Sequence, residues 1–110
     1  MHDPGPIPTD FTSVAAQREF TVIRAGVAGK LSVEIGIPIQ DVETVSGYDW
    51  RCPVRIVDGD TIRERRACGV DSFQALRLAM QMAQDEVEQL AAEDGCHVDL
   101  FGAPYVAGAL

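Results

Sequence analysis

Five of the nine basic residues of this chain are arginines that lie between positions 51 and 66. Arg51 and Arg55 share the outward face of one predicted strand, and Arg63 and Arg65 share a face of the next. The turn Asp58-Gly59-Asp60 brings the two strands side by side, so we expect the four guanidiniums on one sheet face. Because guanidiniums bind carboxylates and phosphates through paired hydrogen bonds, this face is a candidate anion-binding or ligand-binding site. The alternative is a solvated face, since surface ion pairs are common and weak.

A second set of residues has the ligand types that zinc prefers: Cys52, Cys68, Cys96 and His97. It contains no paired C-x2-C spacing, and the adjacent Cys96 and His97 would chelate one ion only with awkward geometry. Cys52 and Cys68 lie in the apolar phase of predicted strands, where a free cysteine behaves as a small hydrophobic residue. Catalysis by Cys96 lacks a second internal histidine to act as base. We therefore predict no metal, no cofactor and no catalytic residue.

The composition is that of one acidic globular domain. The chain has 110 residues, of which 46% are hydrophobic, and a formal net charge of −8. Because nucleic-acid binding usually needs a basic surface, we predict no nucleic-acid partner, although the charge suits a basic protein partner. No apolar run approaches the roughly 20 residues that span a bilayer, so we predict no membrane partner. The odd cysteine count and the lack of a secretory leader predict a cytoplasmic protein.

One long helix is predicted over residues 71–94. Asp71 suits the N-cap, Gln74 completes a capping box, and Gly95 suits a left-handed C-cap. Apolar residues recur in steps of three and four and so line one predicted buried face: Phe73, Leu76, Met80, Ala83, Val87 and Leu90. A second apolar line either packs deeper or meets another subunit: Ala75, Leu78, Ala79 and Met82.

Four strands are predicted before this helix, at residues 18–25, 31–40, 48–57 and 61–70. The second is the clearest, because its apolar residues alternate with other residues at a period of two. Pro38 has no N–H to donate to a sheet, so this end of the strand is expected at an edge or a bulge.

These elements predict an α+β fold, a four-stranded antiparallel meander covered by one long C-terminal helix and followed by a short tail. A hairpin turn is expected at Gly26 to Lys30. Residues 1–13 are rich in proline and glycine and are interpreted as a flexible N-terminal arm. Residues 14–110 are interpreted as a single α+β domain.

Two segments resemble a known family. They are D-W-R-C-P-V-R-I from Asp49 to Ile56 and G-V-D-S-F-Q-A-L from Gly69 to Leu76. They are similar to the W-x-C-P-x-x-I strand and the G-x-D-S-x-Q-A-L helix start of small bacterial proteins classed only as a domain of unknown function. The likeness covers roughly residues 18 to 92 and implies no established activity. The same positions have structural interpretations, in which Trp50 anchors the core, Gly69 lets the chain turn, and Asp71 with Gln74 caps the helix.

We interpret the chain as a non-enzymatic protein-interaction module of a bacterial cytosolic protein. An immunity-like or accessory protein is one form of this function, by analogy of fold. The alternative is a small anion-binding or ligand-binding domain that uses Arg51, Arg55, Arg63 and Arg65. A third interpretation is an enzyme whose site forms between subunits. The sequence contains no phosphate loop, H-E-x-x-H or G-x-S-x-G motif that would support an enzyme directly.

We also predict a homodimer. A single helix shields about two strands of a sheet, which leaves apolar residues of the first strand and of the C-terminal tail uncovered. Such surface usually marks an interface, and a twofold pair is the commonest oligomer. The predicted contact is therefore the first strand or the tail. The alternative is a monomer whose tail folds back and completes the core.

Overall fold

The computed structural model of this chain describes residues 6–8 and 10–108. The helix and strands of the described residues are β1 Val14–Arg24, β2 Val27–Gly36, β3 Ile39–Thr44, β4 Gly47–Asp58, β5 Thr61–Gly69, α1 Ser72–Ala91, β6 Cys96–Leu100 and β7 Ala103–Pro104. The predicted α+β class, with one helix and an antiparallel sheet, is confirmed. The predicted count of four strands is wrong, because the described residues form a seven-stranded sheet. The helix is also not C-terminal, since two strands follow it.

Strand β4 is the centre of the sheet, because it pairs with three other strands. β5 lies along one side of β4, from Thr61 opposite Asp58 to Gly69 opposite Trp50. β2 and β3 share the other side, where β2 faces residues 54–58 and β3 faces residues 47–51. β1, β6 and β7 follow outward from β2.

The strand predicted at residues 31–40 is divided into the end of β2 and the start of β3. The break falls at Ile37-Pro38, where proline cannot donate to a ladder. The N–H of Ile37 instead donates to the carbonyl of Ser13 at 2.9 Å, and the Thr12 hydroxyl donates to the carbonyl of Ile37 at 2.7 Å. Of the arm predicted for residues 1–13, positions 1–5 and 9 lie outside the described residues.

The turn between β1 and β2 is Ala25-Gly26, and the expectation of a turn at Gly26 to Lys30 is wrong. Both turn residues have positive φ, 51° at Ala25 and 78° at Gly26. A two-residue hairpin with this geometry matches the twist of its strands, and glycine supplies one of the two positions without strain. Val27 to Lys30 are therefore free to continue β2.

Helix α1 covers the inner face of the sheet with small residues. Ala75, Ala79, Ala83 and Val87 are buried against an apolar sheet surface. The sheet residues of this core are Phe20, Val22, Leu31, Val33, Ile35, Cys52, Val54, Ile56, Ala67, Val98 and Leu100. Because alanine side chains are short, the helix approaches the strands closely.

The buried face predicted for this helix is therefore displaced. Phe73 and Met80 belong to the predicted stripe, yet they are 75% and 53% exposed. Only Ala83 and Val87 of that stripe are fully buried, while Leu76 and Leu90 pack at the margin of the core. A close contact at Gly69 explains why α1 is rotated about its axis relative to the prediction. A Cβ at Gly69 would lie 2.6 Å from the main-chain nitrogen of Ala75. This close approach fixes the side on which Ala75 and the residues in line with it meet the sheet.

The C-terminal tail packs within the same chain. β6 pairs with the end of β1, and β7 pairs with β6. The ring of Tyr105 lies edge-on to the ring of Phe20, with 6.0 Å between centroids. The N–H of Tyr105 donates to the carbonyl of Val98 at 2.9 Å. Among the described residues, no helix combines the length and apolar character needed to cross a bilayer.

Candidate interaction surfaces

The four arginines proposed as a ligand site lie on two faces of the sheet. In the β4–β5 register, Arg51 is opposite Cys68 and Arg55 is opposite Glu64. Arg63 and Arg65 are opposite the buried Ile56 and Val54, so they point to the inner face that carries α1. The expectation that all four share one face is therefore wrong. Whether any of them binds a ligand stays a prediction.

Arg51 is a buried structural tie on the outer face. Only 3% of its side chain is exposed. Its Nε and Nη2 donate to the two carboxylate oxygens of Asp41, at 2.8 and 3.1 Å, and its Nη1 donates to the carbonyl of Asp10 at 2.7 Å. A charge with this little solvent needs its partners, because an unpaired buried charge is costly. The site therefore joins β4 to β3 and to the segment before β1.

Arg55 is also paired on the outer face. Its Nε and Nη2 donate to the carboxylate of Glu34 at 2.8 and 3.3 Å, and its guanidinium lies 4.1 Å from the ring centroid of Phe11. The hydrogen bond to Glu34 raises the pKa of Arg55 above its ordinary value. The aromatic contact is a cation–π arrangement, which stabilises the segment before β1 on the sheet.

Arg63 and Arg65 converge on one carboxylate of the helix, Glu86, whose side chain is 8% exposed. The Nη2 of Arg63 lies 2.9 Å from Oε2 of Glu86, and the Nη1 of Arg65 donates to Oε1. Glu86 follows Ala83 by three residues and so falls on the buried line of α1. These pairs attach the helix to β5, and nothing in the spacing of the arginines alone indicates them.

The four residues given structural roles lie where strand β5 leads into the helix. The Oδ1 of Asp71 accepts from the N–H of Gln74 at 2.7 Å, and the Oε1 of Gln74 accepts from the N–H of Val70 at 2.8 Å. Gly69 lies directly against Ala75, and Trp50, opposite Gly69, packs partly buried on the core. Together these contacts determine where α1 begins and how it lies on the sheet.

The thiols and the histidine do not form one site. Cys52 is fully buried and its Sγ contacts the carbonyl of Gly36 at 3.3 Å. Burial raises the pKa of the Cys52 thiol to about 11. His97 lies instead beside Asp99, with 2.6 Å between Nε2 and Oδ1. Within the part of the chain that the structure describes, no group of histidine, cysteine and acidic residues is arranged to hold a metal ion.

One flank of α1 is apolar and uncovered. Two adjoining grooves, of about 360 and 160 Å³, meet at Met80. The first is lined on the helix by Phe73, Leu76, Arg77, Met80, Gln81 and Gln84. The second runs over the sheet and is lined by Ala16, Gln17, Arg18, Val33, Ile35, Met80 and Ala83. We call this surface the open flank. Its lining includes Arg18 and Arg77 but no acidic residue.

The opposite flank of α1 borders strand β5. A groove of about 500 Å³ lies between them, with Arg65, Arg66, Ala67 and Cys68 on the strand side. Its helix side consists of Leu78, Gln81, Met82, Asp85, Glu86 and Gln89. Leu78 is 41% exposed there. We call this surface the edge groove, because within the described residues β5 pairs only with β4 and leaves its other side open.

The fold and these surfaces define a small α+β protein without a recognisable catalytic centre among its described residues. Residues 16–104 match the family DUF6968, described as a domain of unknown function, and the chain belongs to that family. The expected likeness to a domain of unknown function is confirmed, while the bacterial origin and the two motifs stay predictions. Searches of curated proteins and of solved structures find no match to this chain.

Proposed function

We propose that this protein is a non-enzymatic interaction module that binds a partner protein through the open flank. The supporting observation is the exposed apolar stripe of α1, in which Phe73 is 75% and Met80 53% exposed. Apolar residues at helical spacing are expected to be covered, and an uncovered patch beside a groove usually marks a binding surface. The adjoining groove reaches the core residues Val33 and Ile35 of the sheet, so an apolar side chain of a partner that enters it has apolar residues to contact.

The charges of the open flank specify the partner further. The chain carries a net charge of −8, but the charged residues that line this surface are Arg18 and Arg77. A partner segment with apolar anchors and acidic residues at its margin fits this arrangement, since complementary charge directs encounter. We propose an immunity-like or accessory role in the bacterial cytoplasm as the setting of this function.

Anion binding by the arginines has less support. Arg51, Arg55, Arg63 and Arg65 each have a carboxylate partner already, and they lie on two faces. A ligand would have to displace Asp41, Glu34 or Glu86 before it could bind.

The test compares three tagged proteins in extracts of the source cells: wild type, Phe73→Glu, and Val45→Glu. Val45 is 78% exposed in the turn between β3 and β4 and so is a matched control away from the flank. We expect a protein retained by wild type and Val45→Glu but lost with Phe73→Glu. Reconstituted with the purified chain, that protein should slow amide exchange around Met80. Equal retention by all three baits would contradict the proposal.

A further inference from the structure

The main chain of β5 presents a row of hydrogen-bonding groups to the edge groove. Asp58 is opposite Thr61 across the turn Gly59-Asp60, so these two residues form a hydrogen-bonded pair,. Pairs alternate along an antiparallel ladder, which directs the main-chain groups of Arg63, Arg65 and Ala67 to β4. Those of the intervening residues point to the open side of the strand: Ile62, Glu64, Arg66 and Cys68.

This edge differs from the other margins of the sheet. β5 has nine residues, whereas β3 has six, β7 has two, and, within the described chain, β1 lacks a partner on its β6 side only over residues 14–20. β7 also contains Pro104, which cannot donate a hydrogen bond. A long open strand is a template for pairing with another chain, and natural proteins place charges there to control that pairing. β5 carries three arginines and one glutamate, with Glu64 between Arg63 and Arg65.

We propose that the partner at this edge is a second copy of the chain, which adds its β5 antiparallel to this one about a twofold axis at Arg65. The sheets of the two copies then become continuous. The dimer uses the flank of α1 opposite the open flank, so it stands independently of the proposed partner surface. It also replaces the predicted dimer contact at the first strand or tail, because the tail is already packed within its own chain.

Charge favours this register over those centred on position 64 or 66. With the axis at Arg65, Glu64 lies opposite the partner's Arg66, and Arg66 lies opposite the partner's Glu64. Arg65 faces the partner's Arg65, but each of these guanidiniums is already paired with Glu86 of its own chain. With the axis at position 64 or 66, the residue that faces its own copy would be Glu64 or Arg66, and neither has a salt-bridge partner among the described residues. Directly opposite like charges destabilise a sheet, whereas opposite charges stabilise it.

The two residues of this pair have no ion pair of their own in the part of the chain that the structure describes, and Arg55, which lies opposite Glu64, is hydrogen-bonded to Glu34. Within the described residues, neither Glu64 nor Arg66 forms a salt bridge. The Nε of Arg66 is buried without a hydrogen-bond partner there, although buried donors are normally satisfied,. The same register places Ile62, which is 61% exposed, opposite the partner's Cys68. An apolar side chain is thereby covered at each end of the contact.

On the inner face, the second helix occupies the edge groove. α1 lies over β4 and β5. With strands about 4.8 Å apart, a twofold axis beside β5 places the two helices roughly 10 Å apart, the usual packing distance. Leu78 and Met82 then meet the second helix. The line of Ala75, Leu78, Ala79 and Met82 was expected either to pack deeper or to meet another subunit, and in the proposed dimer its alanines do the first and its larger residues the second.

A charge exchange tests the register. By light scattering at micromolar concentration, we expect a dimer for wild type. Glu64→Arg and Arg66→Glu should each weaken it at least about tenfold, because both ion pairs become repulsive. The double variant should restore the dimer. Mixing Glu64→Arg with Arg66→Glu should give a heterodimer, in which both pairs are attractive again.

Amide hydrogen exchange of the wild-type chain gives an independent readout that needs no variant. In the dimer, the amides of Ile62, Glu64, Arg66 and Cys68 should exchange slowly, like those of Arg63, Arg65 and Ala67. Rapid exchange at the first four would overturn the proposal, whether or not the variants fold. So would a monomer mass at tenfold higher concentration, or a dimer that both single variants leave unchanged. Phe73→Glu should leave the mass unaltered, which separates this dimer from the proposed partner surface.

Discussion

Helix α1 carries two apolar lines, and the sheet contacts the smaller side chains of both. Ala75 and Ala79 of one line and Ala83 of the other are buried completely or nearly so, while Phe73 and Met80 are mostly exposed. The larger residues would bury more apolar area, yet the short side chains let the helix approach β4 and β5 closely. Hydrophobic periodicity therefore identifies where apolar stripes lie, but close main-chain contact decides which of their residues enter the core.

The largest effect on the free energy of unfolding is expected when a bulky residue replaces a buried alanine of α1. Ala79 has no exposed surface. Ala79→Leu should lower the free energy of unfolding by about 3 kcal/mol, because extra carbons in a packed interface force the helix from the sheet. Urea denaturation measures the loss, with Gln81→Leu on the exposed side as the control. Equal stability of both variants would show that the interface is loosely packed.

The burial of the Cys52 thiol in the core beneath α1 should make the free energy of unfolding depend on pH. Burial raises the pKa of Cys52 to about 11 from its ordinary 9.0, so between these values the folded chain keeps a proton that the unfolded chain releases. Stability from this group is thus complete below pH 9 and falls as the pH rises toward 11, by about 2 kcal/mol. Urea denaturation at pH 8 and pH 11 should show this loss in wild type but not in Cys52→Ala. The same slope in both proteins would mean that other groups cause it.

A smaller effect is expected at the margin of the covered region. Glu86 is 8% exposed, but the arginines that it pairs with are about half exposed, at 51% and 52%. Glu86→Gln should therefore cost about 1 kcal/mol, since solvent screens part of the interaction. Asp85→Asn is the matched control, because Asp85 lies one residue away on the same helix and accepts a hydrogen bond from the amide of Gln81 but forms no salt bridge among the described residues. A larger loss for Asp85→Asn than for Glu86→Gln would contradict the assignment of the attachment point.

The smallest effect is expected on the open flank. Phe73→Ala should change the free energy of unfolding by less than about 0.5 kcal/mol, as exposed substitutions usually do. This outcome would be unusual for a phenylalanine on a helical stripe, and thermal unfolding measures it. A loss of 2 kcal/mol or more would place Phe73 in the core.

The sequence predicts the class of this fold better than its strand count. Asp58-Gly59-Asp60 predicts the hairpin of β4 and β5, and Asp71 with Gln74 predicts the start of the helix. Both predictions succeed because a turn and a helix cap depend only on residues close in sequence. β3 is not predicted as a separate strand, because the alternation continues through Pro38 and joins its first residues to β2, and its remaining residues are mostly polar. At β6 the sequence leaves a short strand and an irregular segment as alternatives, because Cys96–Leu100 is too short for a period to show.

The surroundings of the four candidate arginines are harder to predict, because they depend on which residues lie opposite one another across strands. Counting outward from the two-residue turn Gly59-Asp60 places Arg63 opposite Ile56, so the split of the arginines was accessible to a register argument. The carboxylates that pair with them were not, because Asp41, Glu34 and Glu86 are distant in sequence. The open flank was missed for a different reason, since the helix rotates about a contact at Gly69 that no periodicity contains.

Oxidative footprinting of methionine and phenylalanine side chains tests the central comparison most directly. Met80 and Phe73 on the open flank should be oxidised rapidly in the purified chain, while Met82, which packs against the core, and the buried Phe20 should react slowly. This result would show that α1 turns Phe73 and Met80 away from its own sheet. Protection of Phe73 and Met80 equal to that of Phe20 would contradict the account, because the proposed β5 dimer also leaves the open flank uncovered.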